Sequence, residues 1–166
     1  MSIFKKVRNS VAAVFPTLPI YYGDDEHLNN CIVQTPAGIP AILIKSTKNR
    51  TVTRNGVMDC ERVEADVFFM RQTPFEPENP VAACEETEAT IDDMSTLAHE
   101  WVQSLRENGE LSIDGQILMQ PIRYDYNGYY CGIGVQVPVR ELYGDADCVP
   151  IVYPVIFTKV FTNTFR

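Results

Sequence analysis

Residues 90–105 read TIDDMSTLAHEWVQSL, and residues 129–140 read YYCGIGVQVPVR. In the first stretch apolar residues recur at the 3.6-residue spacing of an amphipathic helix, at Ile91, Met94, Leu97, Ala98, Trp101, Val102 and Leu105. Thr90 suits an N-terminal cap, and Gly109 is the residue type that closes helices in the left-handed conformation. We therefore predict one long helix that opens at Thr90 and stops at Gly109.

The second stretch predicts the closing strand of a β-hairpin. Asn127-Gly128 suits a tight turn with positive φ, so the turn is expected at residues 125–128. One face of the following strand carries Tyr129, Cys131, Ile133, Val135, Val137 and Val139. Gly132 and Gly134 lie on the other face, where we expect them to permit close packing or a bulge rather than to contact a phosphate.

Shorter elements precede the long helix. An N-terminal helix is predicted, with Ile3, Phe4, Val7, Val11 and Val14 on one side. Strands are predicted at 18–22, at 40–44, where a continuous apolar run indicates burial on both faces, and at 62–71, where apolar and polar residues alternate. Residues 24–30 are a polar connection, and residues 72–89, with three prolines and many acids, are expected to be a loop that crosses to the helix.

The predicted fold class is α+β. We expect a mostly antiparallel sheet of about four to five strands, packed by one long helix and a short N-terminal helix. The length of 166 residues fits one domain, which we place at residues 1–142. Residues 143–166 are predicted to be an extended C-terminal arm.

The arm is apolar on both strand faces, and Pro150 and Pro154 argue against a central strand of a sheet. Such a segment either folds back over its own domain or adds to a neighbouring subunit, and both alternatives stay open. In the second case the interface residues are Ile151, Val152, Tyr153, Val155, Ile156, Phe157, Val160 and Phe161.

Charge is unevenly distributed. The net charge is −8, and residues 74–122 hold eleven acidic residues against Arg106 alone. One interpretation is an ordinary solvated helix face. The other is a negative surface that repels passing nucleic acid or meets a basic partner. Tight binding to a phosphate backbone is disfavoured in either case.

A basic segment precedes the turn signal Asn55-Gly56. Lys45, Lys48, Arg50 and Arg54 are expected in a protruding basic hairpin or loop, with an ordinary solvated loop as the alternative. Four such charges offer DNA a weak, salt-dependent contact without sequence preference.

Residues that carry chemistry are sparse. His99-Glu100 fails the zinc-protease pattern because Gln103 stands at the second ligand position. Residues 24–27, Asp-Asp-Glu-His, match no calcium loop. The cysteines Cys31, Cys60, Cys84, Cys131 and Cys148 lie far apart, which favours reduced cytosolic thiols over a disulfide framework or a zinc site. We expect no catalytic residue, no cofactor and no metal.

The order of elements resembles the tail-terminator and neck proteins of tailed bacteriophages. The resemblance lies in the helix at 91–105 followed by the strand Gly132-Ile-Gly-Val-Gln-Val-Pro-Val-Arg-Glu-Leu142. It implies a non-enzymatic virion protein, assembled in the host cytoplasm, that forms a homo-oligomeric ring between head and tail. Its partners would be other neck or tail proteins, and DNA would pass through the ring without tight binding.

A rival interpretation is a small α+β ligand-binding or enzyme-accessory domain, with the tail folded over its own core. A secreted or surface domain is disfavoured by the N-terminus and the cysteine count. No stretch approaches the length that spans a membrane, so no membrane partner is expected.

Overall fold

The chain forms an α+β domain. The computed structural model describes residues 3–45, 50–55, 58–73, 78–107, 109–125 and 129–142. Within these ranges the helices are α1 (Ile3–Val14), α2 (Asp25–Ile32) and α3 (Pro80–Glu107). The strands are β1 (Ile20–Gly23), β2 (Ala41–Lys45), β3 (Arg50–Asn55), β4 (Met58–Gln72), β5 (Ser112–Ile113), β6 (Leu118–Asp125) and β7 (Tyr130–Leu142). The fold class is as predicted from the sequence.

All seven strands described belong to one mixed sheet. The long strands β4 and β7 run antiparallel through its middle, paired from Cys60–Leu142 to Gln72–Tyr130. Strands β2 and β3 pair in succession with the other edge of β4, and β6 and β5 do the same with β7. Strand β1 is parallel to β2 and ends the sheet on that side. The sheet has more strands than the four to five predicted. One reason is that β3 lies in a segment for which a loop was the alternative prediction, and another is that β5 has two residues.

The main hydrophobic core lies between the sheet and the helices α1 and α3. Val63, Val67, Val135 and Val137 point into it from the central strands. Trp101 of α3 is fully buried in this core, and its Nε1 donates a hydrogen bond to Ser10 Oγ of α1 at 3.1 Å. Ser10 Oγ donates in turn to the carbonyl of Val7 at 2.7 Å. The two helices are therefore joined by a buried polar contact as well as by apolar packing.

A smaller core lies on the opposite face of the sheet, beneath α2. Leu28 and Ile32 of this helix pack against Leu43 and Met70. Tyr130 of β7 donates from its hydroxyl to the carbonyl of Ile32 at 3.0 Å, and burial raises the pKa of Tyr130 above its ordinary value of 10.0. Because the phenol stays protonated at neutral pH, it remains a donor to the helix end. Strand β2 is buried on both faces, as the continuous apolar run predicts.

Helix α2 was not expected in the polar stretch at 24–30. It begins because Asp24 adopts an extended backbone and its carboxylate accepts the His27 N–H at 2.9 Å, which is N-terminal capping. Asp25 and Glu26 occupy the first turn, where negative charge stabilises a helix. The sequence indicates α2 weakly, by an acidic N-cap residue and two apolar residues, Leu28 and Ile32, that become buried.

Helix α3 begins ten residues before the predicted start, so the loop interpretation of residues 80–89 is wrong. Asn79 caps the helix by accepting the Ala82 N–H, and Pro80 suits the first helical position. Thr90 is buried inside the helix and does not cap it. The helix ends at Glu107, close to Gly109 as expected, but Gly109 does not adopt positive φ.

The hairpin prediction is confirmed in its two strands and in Gly132, and residues 126–128 of the predicted turn lie outside the described residues. Asp125 pairs with Tyr130, and β6 has a register shift between Ile122 and Asp125. A side chain at Gly132 would collide with the carbonyl oxygen of Phe69 on the neighbouring strand. Gly132 is therefore required for close packing beside a bulge, as the sequence indicated.

Candidate assembly surfaces

The border of the sheet at β1 carries exposed positive charge. Helix α1 has three basic residues and no acidic one, and it packs over β1 and β4. Lys5 and Arg8 are exposed and, with Phe4 of the same helix and Tyr22 of β1, line a shallow cleft of about 220 Å³. The rings of Phe4 and Tyr22 lie 6.1 Å apart. We call Lys5, Arg8 and Tyr22 the basic border.

The opposite border carries exposed negative charge. Helix α3, which packs on β7, β4, β5 and β6, has seven acidic residues and one basic residue. Two ion pairs fix its rotation over the sheet: Glu88 pairs with Arg123 of β6, and Asp93 pairs with Arg71 of β4 at 3.0 Å. The exposed side of α3 next to Glu88 carries the residues one or two turns away from it, namely Val81, Glu85 and Asp92. We call Val81, Glu85 and Asp92 the acidic border.

Sequence reasoning found the acid of α3 but missed the basic border. Lys5 and Arg8 were visible only as a positively charged flank of a short helix. A comparison of net charge between the two helices would have found the asymmetry, because one helix is purely basic and the other strongly acidic. Tyr22 could not be found in this way, since only the fold brings β1 beside α1.

The predicted basic loop is divided by the structure. Lys45 is the last residue of β2, and its ammonium group pairs with Asp25 at 2.7 Å. Arg50 and Arg54 belong to strand β3, which continues the sheet along β4. Lys48 lies outside the described residues. The hairpin alternative holds for 50–55, but Lys45 is a paired residue and is not part of a free basic cluster.

Between β4, β6 and β7 the sheet face that bears α2 carries a cleft of about 250 Å³. Phe68, Ile122 and Leu118 line it, and Gly134 forms part of its floor. At one end Asp66 lies opposite Lys45 and hydrogen-bonds Gln136. Partial burial raises the pKa of Asp66 above its ordinary value of 3.8, although Lys45 opposes that rise.

A larger cleft of about 550 Å³ lies where α3 passes the ends of β4 and β7. Arg71, Thr73, Glu86, Thr90 and Tyr129 are among its lining residues. Arg71 is held in place because it donates to Thr90 Oγ1 at 3.2 Å and to Asp93. The cleft has the size of a small-molecule site, but its cation already has a carboxylate partner.

The two histidines and the acidic residues at the start of α2 make local structural contacts. Asp24 caps the helix, Asp25 pairs with Lys45, and His27 Nε2 lies 3.4 Å from Cys31 Sγ. His99 contacts the carbonyl of Ser95 at 2.7 Å within its own helix. In the described part of the chain no group of three or more metal-ligating side chains comes together.

The predicted arm residues, from Ile151 to Phe161, lie outside the described residues. Two tyrosines lie where the hairpin enters β7: Tyr130 is buried, and Tyr129 is exposed with a φ of 81°. Tyr130 packs against α2.

No protein-family model matches the chain, and a search of curated proteins finds no match either. Within the ranges described above, none of the helices has the length and apolar character needed to cross a membrane.

Proposed function

We propose that the chain is a non-enzymatic, ring-forming component of a tailed-phage or prophage neck or tail terminus. The observation that carries this proposal is the exposed acidic face of α3. Seven acids lie on this helix, and the described ion pairs to the sheet engage only Glu88 and Asp93. A surface of this kind suits a conduit through which DNA slides without adhering, because it repels the phosphate backbone.

The helix and hairpin that support the resemblance to neck and tail-terminator proteins also bear the main core. Helix α3 packs on β7, so the resembling segments form one packed unit rather than two separate patterns. The acidic face lies on the outer side of that unit. A ring of such units would place acidic side chains of α3 all around its central passage.

The experiment is the native mass of the purified protein, followed by negative-stain microscopy. We expect a closed oligomer with a central opening and no binding of double-stranded DNA below about micromolar concentration near physiological salt. A monomer at all concentrations, or tight DNA binding lost on neutralising Lys48, Arg50 and Arg54, would contradict the proposal. Lys45→Gln serves as a comparison, since Lys45 is already paired with Asp25.

The arm is assigned to the contact between neighbours in this proposal. Deletion of residues 149–166 should leave a folded domain, because residues between Ile3 and Val139 already form two buried clusters. Circular dichroism should retain the helical signal while native mass falls to the monomer. Loss of the circular-dichroism signal would instead assign the arm to its own core and favour the rival interpretation.

The rival function, a small ligand-binding domain, is favoured by the cleft at Arg71. Its volume of about 550 Å³ falls in the range of small-molecule sites. Calorimetric titration with succinate and with inorganic phosphate tests whether Arg71 accepts an anion. Binding that is lost in Arg71→Gln, in a protein that remains monomeric, would favour this rival over the ring.

A further inference from the structure

The two borders of the sheet carry opposite charge and lie next to different strands. On one side, Lys5 and Arg8 lie beside β1, the terminal strand of the sheet. On the other side, Glu85 and Asp92 lie on the exposed surface of α3 next to Glu88, which pairs with Arg123 of β6. Among the described residues, none of these four side chains takes part in an ion pair. The charges of each border are therefore available to an external partner.

Each border also presents one exposed apolar or aromatic side chain next to its charges. Tyr22 is 41% exposed beside Lys5 and Arg8. Val81 is 68% exposed and lies one turn before Glu85 on α3. Charges around a small apolar centre are the composition of a specific protein contact, in which the polar rim selects the partner.

We propose that the basic border of one copy binds the acidic border of a second copy, edge to edge. This inference rests on the proposed ring and adds a second contact between neighbours to the one assigned to the arm. It engages Glu85 and Asp92 and leaves the exposed Glu86, Glu100 and Glu107 of α3 for the passage. The ammonium group of Lys5 and the guanidinium of Arg8 pair with the carboxylates of Glu85 and Asp92 across the contact. Tyr22 packs on Val81 at its centre.

The second copy is the preferred occupant because the charges are complementary and lie on opposite borders. A contact between two unlike surfaces is heterologous, so it leaves one border free on each copy and can be repeated. The contact closes a ring when a whole number of rotations from one copy to the next makes a full turn. A nucleic acid would fit the basic border alone and would leave the acidic border unexplained.

The test is a pair of charge-reversed proteins, Lys5→Glu/Arg8→Glu and Glu85→Lys/Asp92→Lys. Each protein alone then has two borders of like charge, so we expect association to weaken at least about tenfold. In an equimolar mixture the two variants can alternate, so every contact joins opposite charges in a ring with an even number of copies. The fourfold variant, which carries all four substitutions on one chain, restores opposite charges at every contact for any number of copies. We therefore expect the fourfold variant, and neither double variant alone, to recover the native mass of the unmodified protein.

The matched control is Glu26→Lys/Glu64→Lys. It makes the same change in charge as the acidic-border variant, and its two exposed residues lie away from α1 and α3. We expect this control to assemble as the unmodified protein does. Circular dichroism and melting temperature establish that each variant is folded, which is expected because all substituted residues are exposed.

The outcomes separate this inference from the proposed function. If the unmodified protein is a monomer, the proposed ring fails and this contact fails with it. If the unmodified protein is a ring and both variants still form it, the ring stands and the edge-to-edge contact is overturned. The contact is also overturned if both double variants dissociate and the fourfold variant does not assemble, or if the control dissociates equally.

Discussion

The two faces of the sheet are covered in different ways. Helices α1 and α3 cover one face with a continuous apolar core, which includes Trp101 and Phe69 at its centre. Of the described elements, α2 alone covers the other face, where it buries Leu28 and Ile32, and the cleft at Phe68 lies beside it. Most of the burial among the described residues therefore lies on one side, and the second side is held by a small cluster and the hydrogen bonds of Tyr21 and Tyr130.

This difference leads us to expect unequal stability across the sheet. Local opening occurs where few apolar contacts are buried, while a large core opens only with global unfolding. The face under α3 should control the free energy of unfolding. The face under α2 should open more readily, and substitutions there should have smaller effects.

The largest effect is expected from Trp101→Ala. The side chain is fully buried and its indole N–H donates to Ser10, so its removal leaves a cavity and removes the hydrogen bond that Ser10 Oγ accepts. We expect a loss of about 3–5 kcal/mol in the free energy of unfolding, measured by urea denaturation. Trp101→Phe, which keeps an aromatic ring but loses the donor, should cost less. A loss below about 1 kcal/mol for the alanine variant would contradict the assignment of this face as the main core.

The main core was also the part of the fold that the sequence predicted best. Ile91, Met94, Ala98 and Trp101 repeat at helical spacing over several turns, so the buried side of α3 was evident from its period. The alternation of apolar and polar residues after Tyr129 likewise indicated which face of β7 is buried. Long elements with one buried face carry enough residues for their periodicity to be clear.

The second face was missed for the opposite reason. Helix α2 has eight residues and buries two of them, so its apolar spacing is too short to distinguish it from a polar loop. The early start of α3 was missed because Pro80 and the acids after it were interpreted as loop residues, although proline suits the first helical position and glutamate favours a helix interior. Tyr22 of the basic border could not be predicted from the sequence, since only the fold brings β1 beside Lys5 and Arg8 of α1.

An intermediate effect is expected from Leu28→Ala. Leu28 is fully buried, but its cluster is small and lies under a helix of two turns, which can partly close over the space. We expect a loss of about 2–3 kcal/mol, toward the lower end for a buried leucine. Val33→Ala, at an exposed position just after the same helix, should change the free energy of unfolding by less than about 0.5 kcal/mol.

Hydrogen exchange distinguishes a local from a global effect of this substitution. In Leu28→Ala we expect faster exchange of the α2 amides, with little change in α3. Equally faster amide exchange in both helices would show that the two faces form one cooperative unit and do not differ in stability.

The smallest effect is expected from Asp66→Asn, at the open end of the second face. Because partial burial raises the pKa of Asp66 in the folded chain above 3.8, the folded state binds its proton more tightly than the unfolded state does. Stability from this group is therefore present at low pH and is lost as pH rises through the folded pKa. Asparagine removes the ionisation and can still hydrogen-bond Gln136.

We therefore expect Asp66→Asn to raise the melting temperature by about 1–2 °C at neutral pH and to leave it unchanged near pH 3, where both side chains are neutral. Lys45 limits the gain, because it stabilises the ionised aspartate and retains Asp25 as a partner after the substitution. Glu64→Gln is the matched control on the same strand. It removes an exposed carboxylate that adds to the rise in the Asp66 pKa, so it should move the melting temperature in the same direction by less. A lower melting temperature of Asp66→Asn at neutral pH would mean that its attraction to Lys45 outweighs burial, and that this end of the sheet is closed by an ion pair.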